Sequence, residues 1–404
     1  MNYVPIPVAM LPVGKPLPVN VWNPEGVLLL RKGQPIVSEQ HRDKLYKHNA
    51  STTETEAQSW QRSYERMVHT LLMKGVELDE IARMPMPTTI RERDYHAAEQ
   101  LSGGWLHLQE VLRGILYQGG LALNPLARLA ALENKARALL REDADDSLFC
   151  LFQALSDSSL GYCATHALLC ACVCDLAAQK LGFHPQQRQS LMSAALTMNI
   201  GMAREQDVLL RQSHAPTPEQ RKLIRDHPQL SRSILVSLGI EDAEELDLVR
   251  WHHQPDSAEA LAHNLQARRL LNMTDIFIAK MSARRTREAL TPLESAKSIY
   301  LQTENEVSAG IGGALAAAIG FYPPGTYVRL AGGEIAVSVQ RGLRANTPWV
   351  TVIVDANGMP NLNYHCVDSS EPAHAIVAPV LFRSSKVVVN GDRVRRAREN
   401  IRPT

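Results

Sequence analysis

The chain has 404 residues, of which 45% are hydrophobic and 21% are charged, a composition that excludes a mini-protein, a fibrous protein and a mostly disordered chain. Its 43 basic residues nearly balance its 42 acidic ones, so the net charge of +1 provides no global attraction to nucleic acid or anionic lipid. Only 5% of the residues are aromatic, and the Ala- and Leu-rich middle of the chain predicts a mainly helical protein.

The first fifty residues predict a small β-rich N-terminal module, residues 1–50. Short apolar runs alternate there with turn residues, and Asn23-Pro24-Glu25-Gly26 fits a β-turn that closes a hairpin. Ser38 is a candidate N-cap for a short helix that ends near His48. The polar run 50–56 has no apolar anchor beyond alanine, so it predicts a linker.

Helical patterning extends from residue 57 to residue 322. Strand signals are nearly absent over this range, and apolar residues recur at helical spacing. We therefore expect residues 57–149 to form a helical connecting region and residues 150–322 to form a helical bundle.

From residue 323 the hydrophobic period changes to two. Val328 and Leu330 precede a turn at Gly332-Gly333, and a second turn at Asn357-Gly358 predicts a hairpin that returns through Leu362 and Tyr364. Residues 323–404 therefore predict a β-rich C-terminal extension, so the fold class is mainly α with a small β region on each side.

The last residues of the chain form a basic tail. Six arginines and Lys386 occur between Arg383 and Thr404, against Asp392 and Glu399. Because no aromatic residue follows Phe382 in this tail, we do not expect nucleic acid as a partner. A flexible tail that docks on an acidic surface is the other interpretation.

Export and membrane insertion are not predicted. The N-terminus has no basic residue before Lys15 and contains two early prolines, unlike a signal peptide, so we expect a cytoplasmic protein. The apolar stretch 160–174 is too short for a membrane span, and the stretch 307–328 is interrupted by glycine and proline. Four of the six cysteines lie within twelve residues of one helical stretch, so we expect reduced core thiols that bind no metal: Cys163, Cys170, Cys172 and Cys174.

Several metal-capable side chains lie on apolar helix faces. His166 shares a stripe with Leu169, Cys170 and Val173, and Asp275 shares a face with Leu271 and Ile278, where an unpaired carboxylate would be costly. His227 is expected at the start of a further helix, and the pair His252-His253 at the end of another, so their side chains are also candidates for the interior. Imidazoles and a carboxylate on successive helices of a bundle suit iron, manganese or zinc, although each histidine alone is more typical of a satisfied core residue.

The order of these residues resembles the HD-GYP family of bacterial phosphodiesterases, which hydrolyse cyclic di-GMP. Tyr162-Cys163-Ala164-Thr165-His166 is similar to the opening helix of that family, and LMSAALTMNIGM is similar to its HD helix. RDHPQLS, VRWHHQ and the helix of Asp275 follow in family order, and FYPPGTYVRL resembles the segment that closes such domains. Residues 1–50 are similar to the β module that often precedes them. The resemblance implies an HD-type helical bundle and a role in bacterial cyclic-di-GMP signalling.

The departures from the family pattern fall on the residues of the chemistry. Met198-Asn199 stands where the family has His-Asp, Met202 replaces a lysine, and Gln254 stands where a Glu and then a Gly-Tyr-Pro segment are expected. In the family the missing Asp bridges two metals, whereas the Asn199 amide is neutral. Thr197-Met198-Asn199 resembles a recurrent variant of the motif.

Two interpretations of the remaining residues stay open. In the first, one residual Fe, Mn or Zn ion is bound by His227, His252 and His253, with water completing its coordination shell. In the second, the site is inactive, and these three residues form hydrogen bonds with one another, with His166 and Asp275, and with the backbone. No cofactor is required in the second case. A basic group near Lys280 is either an anion-binding site or a solvated face: Arg284, Arg285 and Arg287.

The resemblance and its departures together predict a catalytically degenerate regulatory protein without catalytic residues. We expect a protein partner in a signalling pathway, with a cyclic dinucleotide as a candidate ligand. The alternative function is a metal-dependent cyclic-di-GMP phosphodiesterase that works on a reduced metal site.

Overall fold

A computed structural model describes residues 3–74, 76, 80–81, 84–90, 103–122, 124–157, 160–283, 285, 287–300, 306–361, 363–381, 387 and 389–401. Its contacts divide the chain into two compact units. The first unit comprises Met1–Ser102 and Leu121–Arg128, and the second comprises Gly103–Gly120 and Leu129–Thr404. The chain is mainly helical with two antiparallel sheets, which confirms the predicted fold class.

The first unit contains a four-stranded antiparallel sheet with the strand order β1-β4-β2-β3. The predicted hairpin is present, because the two strands on either side of the 23–26 turn pair with each other. Ser38 caps α1, and its Oγ accepts a hydrogen bond from the backbone N–H of His41 at 3.2 Å. The elements are β1 (Tyr3–Pro5), β2 (Val21–Trp22), β3 (Leu28–Leu30), α1 (Glu39–Lys47), β4 (Ser51–Thr53) and α2 (Glu54–Met73).

The expected linker at 50–56 is wrong, because Ser51–Thr53 is the buried strand β4 and pairs with both β1 and β2. Its hydroxyl groups have partners within the unit. The Thr52 oxygen lies 2.9 Å from the Asn20 carbonyl oxygen and 2.8 Å from Glu56 Oε2, and Glu56 is itself buried. A polar run can therefore be buried here, since these contacts satisfy its hydrogen-bonding groups.

The helices of the second unit surround one central helix, α6. It packs against α3, α5, α7, α8, α11 and α13, and most of its residues are buried. The helices are α3 (Trp105–Gln118), α4 (Pro125–Glu142, which begins in the first unit), α5 (Ala144–Ser156), α6 (Tyr162–Lys180), α7 (Pro185–Thr197), α8 (Ala203–Arg211), α9 (Pro218–Ser237), α10 (Ala243–Trp251), α11 (Leu265–Met281), α12 (Pro292–Tyr300) and α13 (Glu306–Ile319).

Helix α6 (Tyr162–Lys180) is long and apolar enough to cross a membrane by length and composition. The expectation that the apolar stretch from residue 160 is too short for a span is therefore wrong, because the helix continues beyond residue 174. However, 89% of its apolar window is buried within the protein. Burial among neighbouring helices is itself a sufficient reason for an apolar helix. Its four cysteines are free, as predicted, and all four are buried.

The C-terminal part of the second unit is a five-stranded antiparallel sheet with the order β8-β7-β6-β5-β9. The predicted β5–β6 hairpin at Gly332-Gly333 is present. The second hairpin differs, because the strand that pairs with β7 is Cys366–Asp368, while Tyr364 lies outside any strand and Leu362 lies outside the described residues. The strands are β5 (Tyr327–Leu330), β6 (Ile335–Gln340), β7 (Trp349–Val354), β8 (Cys366–Asp368) and β9 (Ile376–Val380).

The described part of the basic tail is a helix, α14 (Gly391–Arg398), rather than a flexible segment. Val394 is buried in the core formed with the sheet. Arg395 and Arg398 donate to Asp146 and Asp143, each at 3.0 Å, at the start of α5. The acidic surface that the tail contacts therefore belongs to its own chain. Arg383 and Lys386 lie outside the described residues.

Candidate metal centre

Five polar side chains of the second unit form one group, the histidine–aspartate cluster: His166, His227, His252, His253 and Asp275. His166 lies in the second turn of α6, His227 in the middle of α9, and Asp275 in α11. His252 and His253 directly follow the last residue of α10. Packing of α9 on α10, α10 on α11 and α11 on α6 brings the five together. Their role as metal ligands stays a prediction.

The ring of His227 is oriented by the proline that follows it. Pro228 has no N–H, so the carbonyl of Ile224, four residues earlier, loses its helical partner. That carbonyl oxygen lies 2.7 Å from Nδ1 of His227 and accepts a hydrogen bond from it. The local sequence therefore assigns the ring proton of His227 to Nδ1.

The ring of His252 is oriented by the end of a helix. The last carbonyl groups of a helix have no partner within it. The carbonyl oxygen of Val249, in the last turn of α10, lies 2.8 Å from Nδ1 of His252. The proton of this imidazole is thus also held on Nδ1, and Asn272 Nδ2 donates to the His252 carbonyl at 2.7 Å, which fixes the backbone.

These two hydrogen bonds leave a pair of lone pairs that face each other. Nε2 of His227 lies 3.2 Å from Nε2 of His252, and a neutral imidazole whose proton is on Nδ1 can only accept at Nε2. Burial lowers the pKa of His227 to about 4, and burial together with the neighbouring imidazoles places the pKa of His252 well below its usual range. Both rings are therefore neutral at pH 7. A cation between the two nitrogens would remove the repulsion.

His253 completes a set of three imidazoles. Its ring centroid lies 4.1 Å from that of His252 and 5.1 Å from that of His227. One nitrogen of each ring lies within 4.8 Å of the others. The side chain of His253 is 41% exposed, so an ion at this position would be accessible to solvent and to an external ligand. Three imidazoles with one open position suit zinc, iron or manganese.

Asp275 connects the two halves of the cluster. Its Oδ1 lies 2.8 Å from Nε2 of His166, and its Oδ2 lies 3.9 Å from Nδ1 of His253. Burial opposes ionisation of this carboxyl group, but the hydrogen bond to His166 and the nearby imidazoles hold its pKa well below the usual range. The carboxylate therefore supplies negative charge next to all of these rings.

Two residues of the site were missed by reasoning from the sequence. Cys170 Sγ lies 3.4 Å from Nε2 of His166, and the hydroxyl of Tyr162 lies 3.0 Å from Nδ1 of the same ring. The signal was available, because both residues are four positions from His166 and therefore lie on its face of the helix. Cys170 had been interpreted only as a core residue.

The residues at which the sequence departs from the HD-GYP pattern lie in the buried turn between α7 and α8. Met198 is fully buried, and Asn199 and Met202 are buried as well. The turn lies against α9 near His227, because a Cβ on Gly201 would be 3.1 Å from the His227 carbonyl oxygen. The turn that contains Met198 and Asn199 therefore contacts the backbone of α9 at His227, and these two residues carry a thioether and a neutral amide.

The loop after His253 replaces the expected Gly-Tyr-Pro segment and is held by a buried ion pair. Gln254 at its start is exposed. Arg268 Nη1 lies 2.7 Å from Asp247 Oδ2, and Arg268 also donates to the carbonyl groups of Pro255 and Leu261. Arg268 is 2% exposed, so this contact fixes the loop from inside.

The predicted anion-binding arginines are only partly described. Arg284 lies outside the described residues. The backbone N–H of Arg285 donates to the Leu210 carbonyl at 3.4 Å, and Arg287 Nη2 donates to the Ala279 carbonyl at 2.8 Å. Arg287 therefore stabilises the last turn of α11, and a role in anion binding stays a prediction.

A second group of acidic residues, of which Glu133 and Glu245 are buried, lies at the opposite end of α10. Glu133, Asp242 and Glu245 approach one another there, and burial together with Asp242 and Glu133 raises the pKa of Glu245 to about 8. Ser190 Oγ donates to Asp242 at 2.6 Å, and Ser193 Oγ lies 3.2 Å from both oxygens of Glu133. These residues were not predicted from the sequence.

Comparison with known proteins yields little similarity. No protein-family model matches the chain, and no curated protein matches it. Among solved structures, the chain is similar to Bd1817, a HDG"Y"P protein from Bdellovibrio bacteriovorus, at 16% sequence identity and a TM-score of 0.40. The similarity covers 78% of this chain and 98% of that one.

Proposed function

We propose that the protein is a catalytically degenerate, HD-GYP-like regulatory protein of bacterial cyclic-di-GMP-type signalling. It holds a metal ion with His227, His252 and His253 and acts by binding rather than by hydrolysis. The observation that supports a bound metal ion is that Nε2 of His227 and Nε2 of His252, both of which can only accept, face each other at 3.2 Å. The family assignment rests on the order of motifs in the sequence.

The spacing of the two nitrogens suits ligands of one ion. With zinc–nitrogen bonds of about 2.0–2.1 Å in a tetrahedral shell, two ligand nitrogens lie about 3.3 Å apart. The Nδ1 hydrogen bonds to backbone carbonyls are the outer contacts that orient histidine ligands in metal sites. Iron, manganese and zinc are all compatible with this set of donors.

The degenerate turn supports a binding role. A two-metal hydrolase needs a carboxylate that holds both ions at the separation required to activate water and stabilise the leaving oxygen. Asn199 carries no charge, and Met198 offers a thioether in place of an imidazole. An ion bound at the half-exposed His253 would instead coordinate a phosphate oxygen of a cyclic dinucleotide, or leave that position to water. A protein partner would then respond to the bound state.

The first experiment is metal analysis of the purified full-length chain, followed by calorimetric titration with cyclic di-GMP and an assay of its hydrolysis. We expect bound Fe, Mn or Zn and no useful turnover. His252→Ala should lose the metal, while His365→Ala, which changes an exposed histidine, should retain it.

A purified chain without metal would contradict the proposal, and so would a bound metal whose content does not change in His252→Ala. Robust hydrolysis that is lost with His252→Ala would support the second candidate, a phosphodiesterase with one metal. The observation that favours this candidate is the open position beside His253, where a metal-bound water could be activated.

A further inference from the structure

The other half of the histidine–aspartate cluster contains a set of three donor side chains that the order of the sequence motifs does not predict. We propose that His166, Cys170 and Asp275 form a second metal site, with a thiolate ligand and a preference for zinc or another thiophilic divalent cation. The resemblance leaves His166 and Asp275 as two ligands after the loss of an imidazole at position 198. Cys170 supplies a third.

The geometry of the three donors fits one ion. Their ligand atoms all lie within 4.8 Å of one another. Cys170 Sγ is 3.4 Å from His166 Nε2, close to the separation of about 3.5 Å that tetrahedral zinc imposes with Zn–S of about 2.3 Å and Zn–N of about 2.0 Å. His166 Nε2 and Asp275 Oδ1, now 2.8 Å apart, would separate by about half an ångström as the ion enters.

The charges also balance at this position. All three residues are buried, and an isolated charge would be costly there. A thiolate and a carboxylate together neutralise a divalent cation, so the complete site is uncharged. Burial raises the pKa of the Cys170 thiol well above its usual range in the absence of a cation, and a metal ion reverses this by replacing the thiol proton.

The position of the three donors depends on two helices. His166 and Cys170 are four residues apart on α6 and so lie on one face, and α11 packs against α6 and brings in Asp275. Tyr162 contacts Nδ1 of His166 at 3.0 Å and would orient the ring from outside the site. Cys172, although buried on the same helix, points to a different face, whereas Cys174 lies one turn beyond Cys170 and two turns from His166.

The two proposed sites are adjacent through Asp275. One of its oxygens faces His166, and the other faces His253 at 3.9 Å. A carboxylate has two oxygens, so Asp275 can contact both ions. In the HD-GYP family the resemblance assigns this bridging role to the Asp expected at position 199, where this chain has Asn199. The second site does not require the first, because His166 and Cys170 contribute only to the second.

Cobalt substitution tests the thiolate directly. The full-length chain is stripped of metal with a chelator and titrated with Co²⁺, and the near-ultraviolet charge-transfer band of a cobalt–thiolate bond is measured. We expect the band in the wild-type chain, its loss in Cys170→Ser, and its retention in Cys172→Ser and Cys150→Ser. His252→Ala should keep the band, so failure of the first site does not affect this result.

X-ray absorption of the zinc-loaded wild-type chain provides a measurement that does not depend on how a variant folds. A sulfur shell at about 2.3 Å from zinc is the expected result. No sulfur shell, no cobalt–thiolate band, or a band that persists in Cys170→Ser would each overturn the second site. In those cases Tyr162, His166 and Asp275 form a hydrogen-bonded chain without metal.

Discussion

The two ends of helix α10 show how the same burial has opposite consequences for acids and for imidazoles. At its start, Glu245 faces other carboxyl groups, and burial raises its pKa to about 8, so it holds a proton at neutral pH. Beside its end, His252 faces His227 of α9, and burial lowers the pKa of His227 to about 4 and that of His252 well below its usual range. Both imidazoles are therefore neutral at neutral pH. A protonated carboxyl group can donate to its neighbours, whereas two neutral imidazoles with their protons on Nδ1 cannot. Only the histidine end therefore calls for an external cation.

The largest expected effect concerns the buried ion pair between Arg268 and Asp247, which lies in the middle of α10. Arg268→Ala leaves the buried carboxylate of Asp247 without its cationic partner, and we expect the free energy of unfolding to fall by about 3–5 kcal/mol. Arg269→Ala is the matched control, because its pair with the exposed Asp256 contributes about 0–1 kcal/mol. Denaturant titration measures both. Equal effects of the two substitutions would show that the buried pair does not hold the loop after His253.

The acidic end of α10 should destabilise the protein as the pH rises. The folded pKa of Glu245, about 8, lies above its usual value of 4.5, so its contribution is complete below pH 4.5 and is lost as the pH approaches 8. The loss is on the order of 5 kcal/mol. Glu245→Gln should flatten this decline in denaturant titrations across pH, while the exposed Glu259→Gln should not. An unchanged decline in Glu245→Gln would disprove the assignment.

The histidine end should show the opposite sign in the metal-free chain. The folded pKa of His227, about 4, lies below its usual value of 6.5, so its contribution is complete above pH 6.5 and is lost as the pH falls to about 4. This loss is smaller, on the order of 3 kcal/mol. His227→Gln should remove much of the acid-side decline, and the exposed His263→Gln should leave it. If both variants behave alike, His227 is not buried in its neutral form.

The smallest effect tests the orientation of a single ring. Pro228→Ala restores an N–H that competes with His227 for the Ile224 carbonyl, so we expect metal affinity to fall by about 10–100-fold. Helix stability should not fall, because alanine is the better helix former. Pro185→Ala, at the first position of α7, provides the control. Competition titration with a metal indicator measures affinity, and unchanged affinity would mean that the freed carbonyl does not orient the ring.

Much of the local structure was predictable from the sequence, because it depends on neighbours a few residues away. The cap at Ser38 and the hairpin at Gly332-Gly333 follow from local backbone preferences. The apolar stripes around His166 and Asp275 likewise placed their side chains towards the interior. For the site, the order of the motifs singled out the five residues that the structure brings together in the cluster.

What only the tertiary structure decided is how polar groups are satisfied over long sequence separations. Strand β4 looked like a linker because Asn20, whose carbonyl oxygen accepts from Thr52, and the strands that pair with β4 are not visible in its own composition. The basic tail looked flexible because the carboxylates that contact α14 lie some 250 positions earlier in the chain. Cys170 was a core thiol in the sequence, and only the packing of α11 on α6 places a carboxylate beside its neighbour His166. Periodicity shows which way a side chain faces, but its chemistry depends on what faces it.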